Sequence, residues 1–220
     1  MVRRSVTPLT SPGQSPLFKA TAARLGLDDR QIEQLSLYVA TLGKWQPKLN
    51  LIGPKTWAEV WDRHVVDSLQ CLAHMPLEGS VERGLADVGT GAGFPGIVVA
   101  IATGNTVQLI ESDQKKAAFQ LAVKAATGAP LVIQNKRVEA LEASPVDVLF
   151  ARAFAPLPRL LEWCAPLIDA ETTLILHKGR TAAEEIKAAQ QSHAFEVESF
   201  PSVIDSDSVI LRLRNLRPAR

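Results

Sequence analysis

Two rhythms of apolar and polar positions divide this chain. In "LDDRQIEQLSLYVATLGKW" the side chains Ile32, Leu35, Val39, Leu42 and Trp45 fall on one helical stripe, with Asp28 placed as N-cap and Pro47 ending the pattern. A second helix is predicted over "TWAEVWDRHVVDSLQCLAHM", where Thr56 and Glu59 have capping-box spacing and Val60, Val65, Leu69 and Leu72 keep the helical period. Residues 17–80 therefore read as a helical extension. The Pro/Ser/Thr-rich residues 1–16 before it read as a disordered tail.

From residue 85 the pattern changes to short apolar runs separated by helical stretches. Strands are predicted at "LADV", "TVQLI", "PLVIQ", "VDVLFAR" and "TTLILHK", with helices starting near Pro95, Asp113, Leu157 and Thr181. Strand and helix alternating at this interval imply right-handed βαβ units and a parallel sheet, so residues 81–220 form an α/β unit. The ending differs: "HAFEVESF" and "SVILRLR" have no helix between them and are expected as an antiparallel pair at the sheet edge.

Composition narrows the function without naming it. With 220 residues, 46% of them apolar, the chain can bury one good core. A net charge of +1 gives no bulk attraction to nucleic acid, so such a partner must meet a local patch. Cys71 and Cys164 stand far apart and outside any CxxC pair, which fits reduced thiols in a cytoplasmic protein. No apolar run has membrane-spanning length, and Arg3 and Arg4 precede a polar stretch instead of the core of a secretory signal. The four histidines show no ligand spacing with one another or with the cysteines, so no metal is expected.

The chemistry concentrates in "DVGTGAGFPG", residues 87–96, which falls at the first strand-to-helix turn. Ligands of such sheets bind at the carboxyl ends of the strands, where bare glycine backbone and free helix N–H groups can approach them. A mononucleotide P-loop is excluded, because its lysine and adjacent hydroxyl are missing. Gly91, Gly93 and Gly96 satisfy GxGxxG, with Glu111 about twenty residues on, so a dinucleotide and an NAD-dependent oxidoreductase stay open. Two features favour S-adenosyl-L-methionine. Asp87 at the strand end suits a ligand carrying an ammonium and a sulfonium, and the closing antiparallel pair replaces the sixth parallel strand of a nicotinamide fold. Glu111 would then accept hydrogen bonds from both ribose hydroxyls, beside Ser112.

At this point "RHVVDSL", "DVGTGAGFPGI", "ESDQKKAAF", "RVEAL", "ARAFAPL" and "HKGRTAAEEI" occur in an order that resembles the glucose-inhibited division protein B family, bacterial methyltransferases that make 7-methylguanosine in 16S ribosomal RNA. The resemblance spans roughly residues 20–215. It implies a Rossmann-like S-adenosylmethionine-dependent methyltransferase fold, with a seven-stranded, mostly parallel sheet, an antiparallel terminal strand and an N-terminal helical extension. It also implies a cytoplasmic enzyme, expected to be a monomer, with 16S ribosomal RNA in the small ribosomal subunit as partner. By motif, Gly89 and Phe94 would contact the cofactor from the glycine loop, together with Asp87, Gly91 and Gly93. Val138 and Glu139 would flank its adenine, and Arg152 would border the methyl donor. Arg63, His64, Lys178 and Arg180 would meet the RNA. Guanine N7 has a lone pair without losing a proton, so no general base is required; Arg152 and Lys178 would act by fixing the acceptor edge of the base. A methyltransferase of the same fold acting on protein or a small molecule is the nearer rival.

His64, Asp67 and Ser68 would share one helix face, but no nucleophile elbow or oxyanion hole accompanies them. They read instead as a salt-bridged surface, with Arg63 and Asp67 as an i,i+4 pair. Lys115 and Lys116 read as a solvated helix face. Arg3, Arg4, Lys19 and Arg24 near one end, and Arg212, Arg214, Arg217 and Arg220 near the other, are candidate phosphate contacts without the aromatics of a stacking platform.

Overall fold

The computed structural model of the protein describes residues 8–76 and 81–219. The remaining positions, including Arg3, Arg4 and Arg220 and the ends of the expected tail and helical extension, lie outside the described residues.

Seven strands form one sheet in the order β3-β2-β1-β4-β5-β7-β6. They are β1 Leu85–Val88, β2 Val107–Ile110, β3 Leu131–Gln134, β4 Val148–Arg152, β5 Thr173–Lys178, β6 His193–Pro201 and β7 Val209–Pro218. The first five are parallel, and β7 lies antiparallel between β5 and β6. Each predicted strand is present. β1 sits between β2 and β4, so the strand order reverses at the loop that follows β1, and a crevice opens there.

Side chains alternate between two buried layers, as strands covered on both faces require. Leu85, Leu109, Val148 and Phe150 face one layer, while Ala86, Val88, Ile110, Leu149 and Ala151 face the other. The first layer also contains the apolar stripes of α1 (Pro16–Leu25) and α2 (Asp29–Leu49), so the helical extension and this sheet face share one core. Helices α4 (Gly96–Thr103) and α5 (Gln114–Thr127) lie between them. Gln31 and Gln34 of α2 donate to the carbonyls of Ala102 and Thr127, satisfying groups that the last turns of α4 and α5 leave unpaired.

Three expectations about the helical part need correction. Pro47 does not stop α2, which runs to Leu49 with Asn50 in the left-handed conformation as C-cap. Proline removes the bond to the Gly43 carbonyl, and the Leu9 N–H fills that place at 3.0 Å. Residues 8–15 consequently pack against the helices instead of forming a disordered tail: Trp57 and Trp61 donate to the carbonyls of Thr10 and Pro12, and the Ser15 side chain caps α1.

The second helix is not one regular helix. A 3₁₀ turn, Pro54–Thr56, is followed by a π-helical segment, Trp61–Val66, one α-helical turn (α3, Asp67–Leu69), and a 3₁₀ turn, Gln70–His74. The capping box does not form, because the Thr56 hydroxyl is shared between the Gly53 carbonyl and His64.

Gly43 lets the N-terminal segment approach, since a Cβ there would lie 2.8 Å from the Trp57 ring and 2.9 Å from the Leu9 carbonyl. Gly43→Ala is expected to cost about 1–3 kcal/mol through overpacking, measurable by thermal unfolding. Exchange of the Leu9 amide should accelerate with it.

Candidate active site

The glycine loop between β1 and α4 is held from every side. Below it, Asp87 is fully buried and its Oδ2 accepts the Gly96 N–H at 2.8 Å. Glu111, at the end of β2, accepts the Gly91 N–H at 2.9 Å with one oxygen and the Asp113 N–H at 2.8 Å with the other. Gln120 of α5 donates to the Gly91 carbonyl, and the buried Tyr38 hydroxyl of α2 donates to the Ala92 carbonyl at 2.6 Å. Gly89, Gly91 and Gly93 all have positive φ, which side chains rarely adopt.

These contacts redistribute the roles expected from sequence. Asp87 lies buried beneath the loop, with the Thr90 hydroxyl as the side-chain donor beside it. Burial raises the Asp87 pKa to about 7, against the opposing effects of the Thr90 hydroxyl and the Gly96 N–H. A Cβ on Gly93 would overlap Ile97, so this glycine serves packing of the loop against the helix. Phe94, expected at the cofactor, is almost wholly buried, with its ring 5.1 Å from both Tyr38 and His64. Neither Tyr38 nor Gln120 carries a motif signal; only the tertiary contact reveals them.

Three cavities follow the carboxyl ends of the strands. A small one of about 60 Å³ is lined by Gly89, Ser112, Val138, Glu139, Phe154 and Trp163, bringing together residues predicted to hold a cofactor. The Phe154 ring lies so close over Gly89 that a Cβ there would overlap it. Phe154 also borders the second cavity, of about 310 Å³, together with Ala153, His177, Lys178 and Gly179. Those four residues are shared with the third, of about 270 Å³, which is completed by Thr56, Arg63, His64, Asp67 and Arg152 among others.

Arg152, the last residue of β4, reaches across this third cavity to the irregular helical segment. Its Nη1 lies 3.0 Å from Asp67 Oδ2 and its Nη2 donates to His64 Nδ1 at 2.7 Å. A guanidinium has only donors, so His64 Nδ1 accepts and the ring proton sits on Nε2, which donates to the Thr56 hydroxyl at 2.8 Å. Burial and the charges of Arg152 and Arg63 lower the His64 pKa to about 3, keeping it neutral. His177 donates from Nε2 to the Asp67 carbonyl at 3.0 Å.

The expected Arg63 to Asp67 pair is not made. Arg63 binds Glu59 at 3.1 Å, because the wider π-helical turn directs Asp67 inward to Arg152. Lys178 is buried between cavities, donating to the Ala155 carbonyl and, at 2.8 Å, to Glu185. Arg180 stands exposed on the surface, paired with Asp207 and outside the cavity lining. Among the described residues, no three His, Cys, Asp or Glu side chains are grouped so as to hold a metal ion, and no helix is long and apolar enough to cross a membrane.

The buried Asp87 makes stability depend on pH. Its folded pKa of about 7 exceeds the ordinary 3.8, so the folded protein binds this proton more readily than the unfolded chain. Folding therefore bears the full cost of the buried charge above pH 7, and that cost fades as pH falls toward 4. Asp87→Asn keeps an oxygen for the Gly96 N–H, and its melting temperature relative to the unsubstituted protein should be higher at pH 8 than at pH 5.

The chain is similar to known proteins in sequence and in fold. The rRNA small subunit methyltransferase G family matches residues 31–210. The Ribosomal RNA small subunit methyltransferase G of Rhodospirillum centenum is 43% identical over 206 residues, covering 93% of this chain and 94% of its own length. That of Rhodospirillum rubrum is 40% identical, covering 91% and 98%. In structure, an O-methyltransferase from Bacillus cereus superposes with a TM-score of 0.54 over 91% of this chain and 97% of its own, at 14% identity. The ribosomal protein L11 methylase of Lactobacillus delbrueckii gives 0.55 over 68% and 76%, at 15% identity. At such low identity these two establish the fold alone, whereas sequence likeness along most of the chain establishes that it belongs to the rRNA small subunit methyltransferase G family.

Proposed function

We propose that this protein transfers the methyl group of S-adenosyl-L-methionine to N7 of a guanine in 16S ribosomal RNA of the small subunit. The observation that carries the reading is the succession of three neighbouring cavities from the glycine loop to Arg152, the first two sharing Phe154 in their walls. A donor held at one end and an acceptor base at the other would meet beside Ala153 and Arg152.

The residues present fit the cofactor. Gly89 puts bare backbone in the wall of the first cavity, and Glu111 keeps a further lone pair on each oxygen for ribose hydroxyls while it also ties the loop. Ser112, Val138 and Glu139 line the adenine side. That cavity is far below the roughly 300 Å³ of ordinary ligand pockets, so the Phe154 ring turns away from Gly89 on binding. When bound, the cofactor supplies an electrophilic methyl on a sulfonium.

The acceptor cavity then orients the base. Arg152 keeps donors for guanine O6, and the neutral His64, braced by Thr56 and stacked on Phe94, holds the guanidinium in place. The N7 lone pair needs no base, so acceleration comes from alignment. Arg63 and Arg180 meet RNA phosphates at the rim, while Lys178 acts through Glu185 and the Ala155 carbonyl by fixing the cavity wall. The protein works as a monomer in the cytoplasm and without a metal.

Labelled methyl transfer to small subunits from cells lacking this protein, beside naked 16S RNA and bulk protein, tests the reading. Label recovered as 7-methylguanosine from the subunit RNA is expected; label only in protein or small molecules would sink the RNA assignment. Arg152→Ala should lower turnover about a hundredfold with folding intact.

A further inference from the structure

The cations at the acceptor cavity are matched by carboxylates. Arg152 pairs with Asp67 at 3.0 Å, Lys178 with Glu185 at 2.8 Å, Arg63 with Glu59 at 3.1 Å, and Arg180 at the surface with Asp207. His64 is neutral, and burial disfavours the charged form of His177. A site for a phosphate leaves cationic donors free to face it; inside the cavity, unlike at its exposed rim, the charges of Arg152 and Lys178 are balanced. Of the four pairs, Asp67 and Arg152 alone have both partners in the cavity lining, where Asp205 adds another carboxylate.

Charge balance matters for the proposed reaction, because the acceptor ring changes charge. As the N7 lone pair forms a bond to the methyl carbon, the bond from that carbon to sulfur breaks and its electron pair stays on sulfur. No proton moves. A neutral guanine becomes a cation, and an uncompensated guanidinium beside it would oppose that change more strongly as the reaction proceeds.

Resting on the guanine reading, we propose that Asp67 is a positioning residue that sets the charge of the acceptor cavity. Its carboxylate cancels the Arg152 charge, so that the arginine donors can hold the base while the ring takes up positive charge. Further hydrogen bonds hold Asp67 in place, one of them from the Ser202 hydroxyl to Oδ1 at 3.5 Å. Its Oδ1 accepts from Gln70 Nε2 at 3.1 Å, and its backbone carbonyl accepts from His177. The π-helical segment ends just before it, which places both its carboxylate and His64 against Arg152.

Single-turnover methyl transfer to unmethylated small subunits, measured for the full chain and for variants, tests this. Asp67→Asn is expected to lower the rate of transfer about tenfold to a hundredfold, with little change in KM for the subunit or in affinity for S-adenosylhomocysteine. Asp67→Glu should recover part of the loss. Asp67→Asn leaves Arg152 unpaired and can weaken folding, so the decisive comparison is Asp67→Asn with the double variant Asp67→Asn/Arg152→Gln, in which neither residue of the pair carries a charge. Faster transfer is expected in the double variant than in Asp67→Asn, because the uncompensated guanidinium is gone; a double variant as slow as Asp67→Asn or slower, or a loss confined to KM or melting temperature in Asp67→Asn, overturns the assignment. Failure of the unsubstituted chain to form 7-methylguanosine would instead remove the guanine reading, and this proposal with it.

Discussion

The rest of the site depends on one buried carboxylate under one backbone turn. Asp87 and the Gly96 N–H join the end of β1 to the start of α4, and a Cβ on Gly96 would come within 2.7 Å of both the Asp87 side chain and Leu109. The turn must therefore be bare glycine on its inner side as well as on its ligand side. Once closed, it presents Gly91 to Glu111 and Ala92 to Tyr38, so strand β2 and helix α2 are fixed to the same few backbone atoms. Among the described residues Asp87 Oδ1 has no hydrogen bond of normal geometry, a local cost that a packed core around the loop sustains.

The helical extension is thereby built into the candidate site. Its apolar stripes share a core with one face of the sheet, and its Tyr38 braces the glycine loop. Its irregular segment supplies the wall opposite Arg152. A regular α-helix would set Asp67 one turn from Arg63 as a surface pair; the π-helical turns instead bury Trp61, Val65 and Val66 while delivering His64 and Asp67 to the cavity. Such insertions are common where a helix must serve a site.

Electrostatics reinforce this division of labour. The cavity combines charge with neutrality: Arg152 is both a donor array and half of an ion pair, and the histidine touching it stays uncharged. Buried pairs of this kind add little to stability on balance, because desolvation offsets their attraction. Their value here lies in orientation. Phe94 contributes in the same sense, by stacking with His64 and lying under the guanidinium at 5.8 Å, although its sequence position in the glycine motif suggests contact with a cofactor.

The sequence by itself determined the strands, their parallel order up to β5, the closing antiparallel pair and the place of the glycine loop. Those features follow from short-range alternation and from turn chemistry carried by consecutive residues. Gly89, Ser112, Val138 and Glu139, which the sequence marks as a group, line one cavity, since each sits at the end of a strand or in the loop after one. Only the tertiary structure decided that Pro47 is tolerated, that residues 8–15 are packed, and that the second helix is broken into unlike turns. Each outcome rests on a partner distant in sequence: Leu9 on Gly43, Trp57 on Thr10, His64 on Arg152. The same is true of the partners of Arg63 and Asp67. Local spacing names the residues that can meet on a regular helix, but a hydrogen bond or ion pair offered by a remote strand selects which of them do.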